Sequence, residues 1–534
     1  MKIGKEGKTY LKRRWIYVSF FCAFIAICFL IFLFGLRKRS DESKLTVSIA
    51  VIQNDKVQDF NTNYYTLWLE EHTGYDIQFE YISDGYEREY LHTMLKSESN
   101  NIDAVFMPEG EEILSIDELI SYGDDGLILD LSNYISEGSR LYQIMKQYES
   151  YRLYDRMGNN GAFYYMPNMD TARKSQNMQV LWINTGWLKQ LDLQIPKTTD
   201  EFKDVLIAFR DNDPNGNGKK DELPLISCEL SYSLQSYNYL LNAFAYNNPI
   251  NARMYIDQQG NLRCTSTEGA FRQGLIYCRE LYEERLLAPN CFTYTSKQLK
   301  ELVNNPEDLI GAFTSKSIAD VVYPNCPDIL AKFIQMPPLI GPEGEQNAVW
   351  VNYEPKIGGY IPANSKHPQE ALHVMNTMLS EGASLISEFG EEGVDWKYSD
   401  SGDLSTYGSK ARVTTVNYLN DSVQNKNYAG AGPQVLDASI ANGVTWNGNN
   451  SLVEYIDARA VHAYENYYRN SEDMNLSLSM LKDDENYIEI CTFTDDMILQ
   501  FITGEKNISD NTVWQKYLTQ YKELEQKWNL EAED

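Results

Sequence analysis

The chain has 534 residues, with 47 Lys and Arg against 76 Asp and Glu and a formal net charge of −29. Residues 1–40 carry nine of the cations and one acid, which leaves 38 positive and 75 negative side chains beyond them. A field of that sign repels polyphosphate and anionic membrane surfaces, so nucleic acid is excluded as a partner. At 43% apolar residues the chain can bury large cores, and its length suits two to four domains.

In chain order, the first element is the uncharged apolar run Trp15 to Leu36, flanked by Lys12-Arg13-Arg14 and Arg37-Lys38-Arg39. As a helix it would extend about 33 Å, one bilayer crossing. The run is too long for a signal-peptide core, and Cys28 lacks the small-residue context of a lipoprotein cleavage site. It therefore reads as an uncleaved anchor. Six Lys and Arg precede it and three directly follow, which puts residues 1–14 in the cytoplasm and the large C-terminal part outside the cell membrane. Contact with the membrane is expected through this helix only.

The outer part begins as α/β. Leu45 to Ile52, Ile77 to Ile82 and Ile102 to Met107 read as strands, separated by helical patterns over Tyr64 to His72 and Tyr86 to Ser97. Such a βαβαβ start predicts a mostly parallel sheet. Thr198 and Glu201 form a capping-box pattern ahead of a helix with Phe202, Val205, Leu206 and Phe209 on one face. Further helices are predicted around Phe271 to Tyr282, from Pro368 through Leu379, and over Trp514 to Trp528. Residues 397–452, rich in Ser, Asn, Gly and Asp, read as long loops bordering a ligand.

Between the Thr198 helix and Leu223 lies Asp-Asn-Asp-Pro-Asn-Gly-Asn-Gly-Lys-Lys-Asp-Glu, residues 211–222. Hard cations need oxygen donors, and a calcium loop spaces them at alternate positions around a glycine turn and ends on a glutamate. The expected ligands are Asp211, Asp213, Asn215, the Asn217 carbonyl and Glu222, with Gly216 at the turn. Lys219 and Gly218 depart from that pattern, and a turn of Asn, Gly and Asp needs no metal, so both readings stand. Pro224 forbids the exit helix of a calcium sensor, which makes the loop a structural clip. A phosphate loop is excluded because Asp213 stands where the first glycine should be and no Ser or Thr follows Lys219.

Catalytic grammar is missing from the chain: the five histidines, His72, His92, His367, His373 and His462, have no metalloprotease spacing, and no Gly-x-Ser-x-Gly occurs. The reading is not an enzyme, with an extracellular polysaccharide-active enzyme as the remote alternative. Six cysteines lie beyond the apolar run without zinc or redox spacing, and their pairing stays open.

Several segments together resemble the extracellular solute-binding proteins of bacterial ABC importers, in particular the lipoprotein and alginate-oligosaccharide-binding groups of Gram-positive type. They are Ile102-Asp103-Ala104-Val105-Phe106, Tyr164-Tyr165-Met166-Pro167, Trp182 to Leu188 running into Pro196 to Phe202, Leu281 to Leu287, Gly311-Ala312-Phe313, Pro337 to Pro342 and Phe501 to Gly504. The resemblance implies an α/β, two-lobed, periplasmic-binding-protein-like fold (type II) with a ligand cleft between the lobes. It implies a lobe I of residues 44–165 plus about 312–366, and a lobe II of 166–311 plus about 367–534 carrying the calcium-like loop. The implied partners are an oligosaccharide and ABC permease subunits; a membrane-tethered ligand sensor on the same fold is the alternative. Sugars stack on aromatic rings, so Tyr164, Tyr165, Tyr246, Trp350, Tyr353, Trp396 and Trp446 are the candidate ligand contacts.

Overall fold

A computed structural model describes residues 44–531, apart from 84, 98–100, 109–112, 149–157, 159–160, 172–178, 229–230, 257–261, 351–354, 418, 420–422, 448–450 and 469–484. The expected anchor at 15–36 lies outside the described residues. Among the described residues no helix is long and apolar enough to cross a membrane.

The strands come in chain order as β1 (Thr46–Ile52), β2 (Asp76–Ile82), β3 (Ala104–Phe106) and β4 (Met166–Asp170). Next are β5 (Val180–Asn184), β6 (Leu223–Leu225), a hairpin of β7 (Met254–Ile256) and β8 (Leu262–Cys264), β9 (Ile310–Ser315) and β10 (Phe333–Met336). After them follow β11 (Lys356–Tyr360), β12 (Trp396–Tyr398), β13 (Val413–Thr415), β14 (Gln434–Leu436) and β15 (Val444–Thr445). Two main sheets result. One has the order β14-β4-β11-β3-β1-β2 and the other β10-β5-β9-β6.

The six-stranded sheet grows from the predicted βαβαβ start, with β2 and β3 both parallel to β1. β1 alternates little because both of its faces are covered, Val47, Ile49, Ala50 and Val51 all being buried. Helices Tyr64–Thr73, Pro368–Met378 and Glu381–Phe389 contribute Leu69, Met375, Met378 and Ile386 to the same core. The four-stranded sheet is packed by helices Thr199–Asp211, Gly269–Glu283, Glu485–Thr503 and Asn511–Glu531, through Phe209, Phe271, Phe501 and Trp514 among others. A small third layer of β12, β13 and β15 packs Trp396 and Val413 against Leu385 and Phe389.

These two cores are the two lobes, and their boundaries differ from the sequence-based assignment. β9 and β10, expected in lobe I, pair with β5 in lobe II. Residues 367–447, expected in lobe II, instead give lobe I two core helices, its edge strand β14 and the third layer. Apolar periodicity marks which face of an element is buried, but hydrogen-bond pairing with residues hundreds of positions away decides which sheet it joins.

Candidate functional site

Among the described residues the chain changes lobe at three places: it is in lobe I up to Thr171 and in lobe II from Gln179, in lobe II up to Trp350 and in lobe I from Lys356, and in lobe I up to Trp446 and in lobe II from Ser451. β4 is parallel to β14, and both β4 and β3 are antiparallel to β11, so β1, β2, β3, β4 and β14 run one way. The first passage leaves the C-terminal end of β4 and the second enters at the start of β11, which lies at that same sheet edge. The edge of lobe I facing lobe II is therefore the carboxyl edge of its parallel strands, the usual ligand side of an open α/β sheet. In lobe II the matching edge holds the start of β5 and the ends of β9 and β10, since Val180 pairs with Ser315 and Leu181 with Met336.

On the lobe I edge the turn after β1 meets the loop at 424–428. Asp59 accepts hydrogen bonds from the Tyr81 hydroxyl (2.9 Å) and the Thr62 hydroxyl (2.8 Å), and Asn63 Nδ2 donates to the Asn427 carbonyl (2.9 Å). Burial pushes the Asp59 carboxyl up, but the hydrogen bonds from Thr62, Tyr81 and Asn61 outweigh it and hold the pKa below the ordinary value. Tyr428 anchors this loop, being buried against Phe60, Tyr65 and Phe79 with its hydroxyl 2.7 Å from that of Thr66. Beside it, Asn168 Nδ2 donates to the carbonyls of Gly430 (2.8 Å) and Gly432 (3.1 Å). Tyr81, at the carboxyl end of β2, is 40% exposed and offers an aromatic face there.

On the lobe II edge, Gln179 Nε2 donates to the carbonyls of Tyr232 (2.6 Å) and Gln235 (3.0 Å), tying the turn that follows β6 to the first passage. Tyr232, Tyr246, Tyr255 and Val349 pack together there. Burial, and next the Asp495 charge, push the Tyr232 hydroxyl up to about 12, so it stays protonated and donates to Asp495 Oδ2 (3.1 Å).

The candidate aromatics distribute unevenly. Tyr246 lies in the lobe II edge cluster, 6% exposed. Trp350 stands at the second passage, its ring 4.7 Å from Tyr468 and edge-on to it. Trp446 stands at the third, against Phe389. Tyr164 and Tyr165 precede β4 and so lie at the opposite edge of the lobe I sheet; both are buried, and the Tyr164 hydroxyl donates to Asp124 (2.8 Å). Trp396, 1% exposed, is core of the third layer, its Nε1 donating to the Gly390 carbonyl (2.8 Å). Those three lie away from the facing edges: a tyrosine or tryptophan beside glycine or polar residues looks like a rim until its sheet edge and burial are known. Tyr353 lies outside the described residues. Neither Tyr81 nor Tyr232 stands out in the sequence, although Tyr81 closes a strand ahead of Ser83-Asp84-Gly85 and Tyr232 lies between Ser231 and Ser233.

The 211–222 loop bridges helix Thr199–Asp211 and β6, so its two ends are fixed by the lobe II core. The capping box at Thr198 and Glu201 is formed, and the strand after the loop agrees with Pro224. Asp213, Gly216 and Gly218 take left-handed φ values of 48°, 70° and 75°, folding the chain back on itself. The Asn217 N–H donates to Asp213 Oδ1 (3.1 Å) and Asn215 Oδ1 (3.1 Å), and Asn217 Nδ2 donates to Asp221 Oδ1 (3.1 Å). Asp211 stands outside this ring, its carboxylate held by Arg210 Nε at 2.8 Å. That hydrogen bond, ahead of the charge attraction, keeps the Asp211 pKa below the ordinary value. Among the described residues no three His, Cys, Asp or Glu side chains are gathered closely enough to form a metal cluster. The feature that fits a cation is Glu222, whose Oε1 is buried with no hydrogen-bond partner. Burial and then the charges of Asp221 and Asp213 raise its pKa, the response of a carboxylate short of positive charge.

Residues 54–385 match the model of the bacterial extracellular solute-binding proteins, well over half of the chain. The chain belongs to that family. Members bind solutes and are not enzymes. Among curated relatives, the fructooligosaccharide ABC transporter substrate-binding protein FusA of Streptococcus pneumoniae serotype 4 is 24% identical over 290 residues, 53% of this chain and 51% of its own. Lipoprotein LipO of Bacillus subtilis is 22% identical over 62% of this chain and 64% of its own. The chain thus spans between about half and two thirds of the relatives it matches. Among solved structures, a solute-binding protein associated with a human-milk-oligosaccharide transporter of Bifidobacterium longum infantis superposes with TM-score 0.73 at 18% identity, covering 92% of this chain and 98% of its own. That likeness establishes the shared two-lobed α/β fold.

Proposed function

We propose that the protein is the extracytoplasmic receptor of an ABC importer and captures an oligosaccharide between its lobes. The observation that carries this is the pair of facing sheet edges, joined by three passages of chain and lined by hydroxyl, amide, carboxylate and aromatic groups, the chemistry that recognises sugars. Relatives named for fructooligosaccharide and milk-oligosaccharide transport support the ligand class. Calorimetric titration of the full chain in detergent against a panel of oligosaccharides tests it. Binding of at least one glycan is expected, whereas failure of every glycan with binding of a peptide removes the carbohydrate assignment.

Two further parts belong to the same reading. The apolar run Trp15 to Leu36 holds the receptor to the cell membrane as a single-pass anchor with the lobes outside, next to the permease. Retention of the chain in the membrane fraction after alkaline extraction is the expected result; release would overturn the anchor. The 211–222 loop binds calcium through Asp213, Asn215, Asn217, Asp221 and Glu222, with the buried Glu222 oxygen as support and Asp211 left out. The ion would supply the positive charge that these oxygens lack and brace the junction of helix and strand, away from the cleft. Chelator should lower the melting temperature and calcium restore it, with Glu222→Gln abolishing the difference. Identical melting curves with and without chelator would remove the ion from the account.

A further inference from the structure

Lobe II buries a cation. The Arg253 side chain is 1% exposed, and its Nη2 lies 2.8 Å from Asp495 Oδ1. The same nitrogen is 3.4 Å from Asn238 Oδ1, while Nε is buried with no hydrogen-bond partner. Ala252 and Arg253 also take left-handed φ values of 48° and 62°, held by hydrogen bonds of the Arg253 N–H to the Asn248 carbonyl (2.9 Å) and of the Thr265 N–H to the Arg253 carbonyl (2.8 Å). A desolvated guanidinium and two strained residues both cost stability, and such costs gather where a side chain must be aimed.

What is aimed is Asp495. Its carboxylate takes Arg253 on Oδ1 and the Tyr232 hydroxyl on Oδ2, yet its side chain stays 34% exposed. Tyr232 belongs to the turn after β6 that Gln179 ties to the first passage, and it packs with Tyr246, Tyr255 and Val349, the last preceding Trp350 at the second passage. The open side of Asp495 thus lies on the cleft edge of lobe II, next to aromatic rings. A carboxylate paired with a buried arginine accepts hydrogen bonds, and each of its oxygens has a lone pair to spare.

We propose that Asp495, oriented by Arg253 and Tyr232, accepts hydrogen bonds from adjacent hydroxyls of a neutral sugar ring and disfavours uronic sugars. Arg253 and Tyr232 are positioning residues. The proposal rests on the carbohydrate reading and names its ligand class. A hydrogen bond to a charged acceptor, once lost, weakens binding about tenfold to a hundredfold.

The test titrates the full chain, in detergent and with calcium present, with kestose, lacto-N-tetraose and an alginate tetrasaccharide. The wild type is expected to prefer a neutral glycan, and Asp495→Asn to bind it at least about tenfold more weakly with its melting temperature held. Unchanged affinity in Asp495→Asn, or tighter binding of alginate than of either neutral glycan, overturns the proposal and leaves the carbohydrate reading standing. Absence of wild-type binding to all three and to a wider glycan panel overturns both. Should Asp495→Asn fail to fold, Asp495→Glu and Tyr232→Phe carry the test, and unchanged affinity in both overturns the proposal. Arg253→Lys keeps the charge but loses the planar fork, so it should weaken neutral glycans and narrow their preference over alginate. Equal weakening of all glycans removes Arg253 from the proposal.

Discussion

Asp130 is a side chain whose work is visible only in three dimensions. Its Oδ1 accepts the N–H groups of Ser132 (2.8 Å) and Phe163 (3.1 Å), joining a turn to the segment that enters β4. Burial pushes its carboxyl up, but the hydrogen bonds from Ser132 and Phe163 prevail and its pKa falls below the ordinary value. For an acid with a folded pKa below the unfolded value of about 3.9, the stabilisation is complete above that value and vanishes as pH falls through the folded one. Asp130→Asn should therefore be less stable than wild type at neutral pH, by about 1 kcal/mol or less because solvent screens this partly exposed carboxylate, with the gap closing on acidification below about pH 4. Thermal melts of both proteins from pH 7 to pH 2 check this; a constant gap would remove the charge as its cause. Asp130 and Asp211 are equally polar in sequence, and only one turns inward. Neighbouring residues give no hint of that, because the partners of Asp130 include an amide 33 positions away.

At the scale of elements the sequence was most legible where an end signal and a periodic face coincide. The helix expected after Thr198 runs Thr199–Asp211, with Phe202, Val205, Leu206 and Phe209 all buried. The Thr198 hydroxyl accepts the Glu201 N–H (3.1 Å), and a Glu201 oxygen accepts the Thr198 N–H (3.3 Å). Thr198→Ala should cost about 1 kcal/mol, read as a lower denaturant midpoint at unchanged slope. The terminal helix likewise runs Asn511–Glu531 and buries Trp514, Tyr517, Tyr521 and Trp528, as their spacing predicts. Residues 397–452 were less legible. Among the described residues they hold the end of β12, three further short strands and a one-turn helix, elements too brief to show a period, and Tyr428 pins the intervening loop to the lobe I core. The aromatic candidates mirror this contrast, since residue type marked them but sheet edge separated Tyr246 and Trp350 from Tyr164, Tyr165 and Trp396.

For the whole molecule, two cores linked by three passages of chain form the arrangement in which lobes close by hinge motion. Addition of a bound glycan should reduce the radius of gyration of the calcium-loaded chain in small-angle scattering, and an unchanged radius would mean binding without closure. Sequence alone determined the α/β start, the capped helix after Thr198, the break from helix at Pro224 and the strongly acidic surface, because each follows from neighbours within a few turns of chain or from composition. Tertiary structure alone decided that β9 and β10 belong to lobe II, that 367–447 belongs to lobe I, and that Arg253 is buried against Asp495. The physical reason is distance along the chain: Arg253 and Asp495 are 242 positions apart, and local sequence carries no record of which far segment completes a sheet or meets a charge.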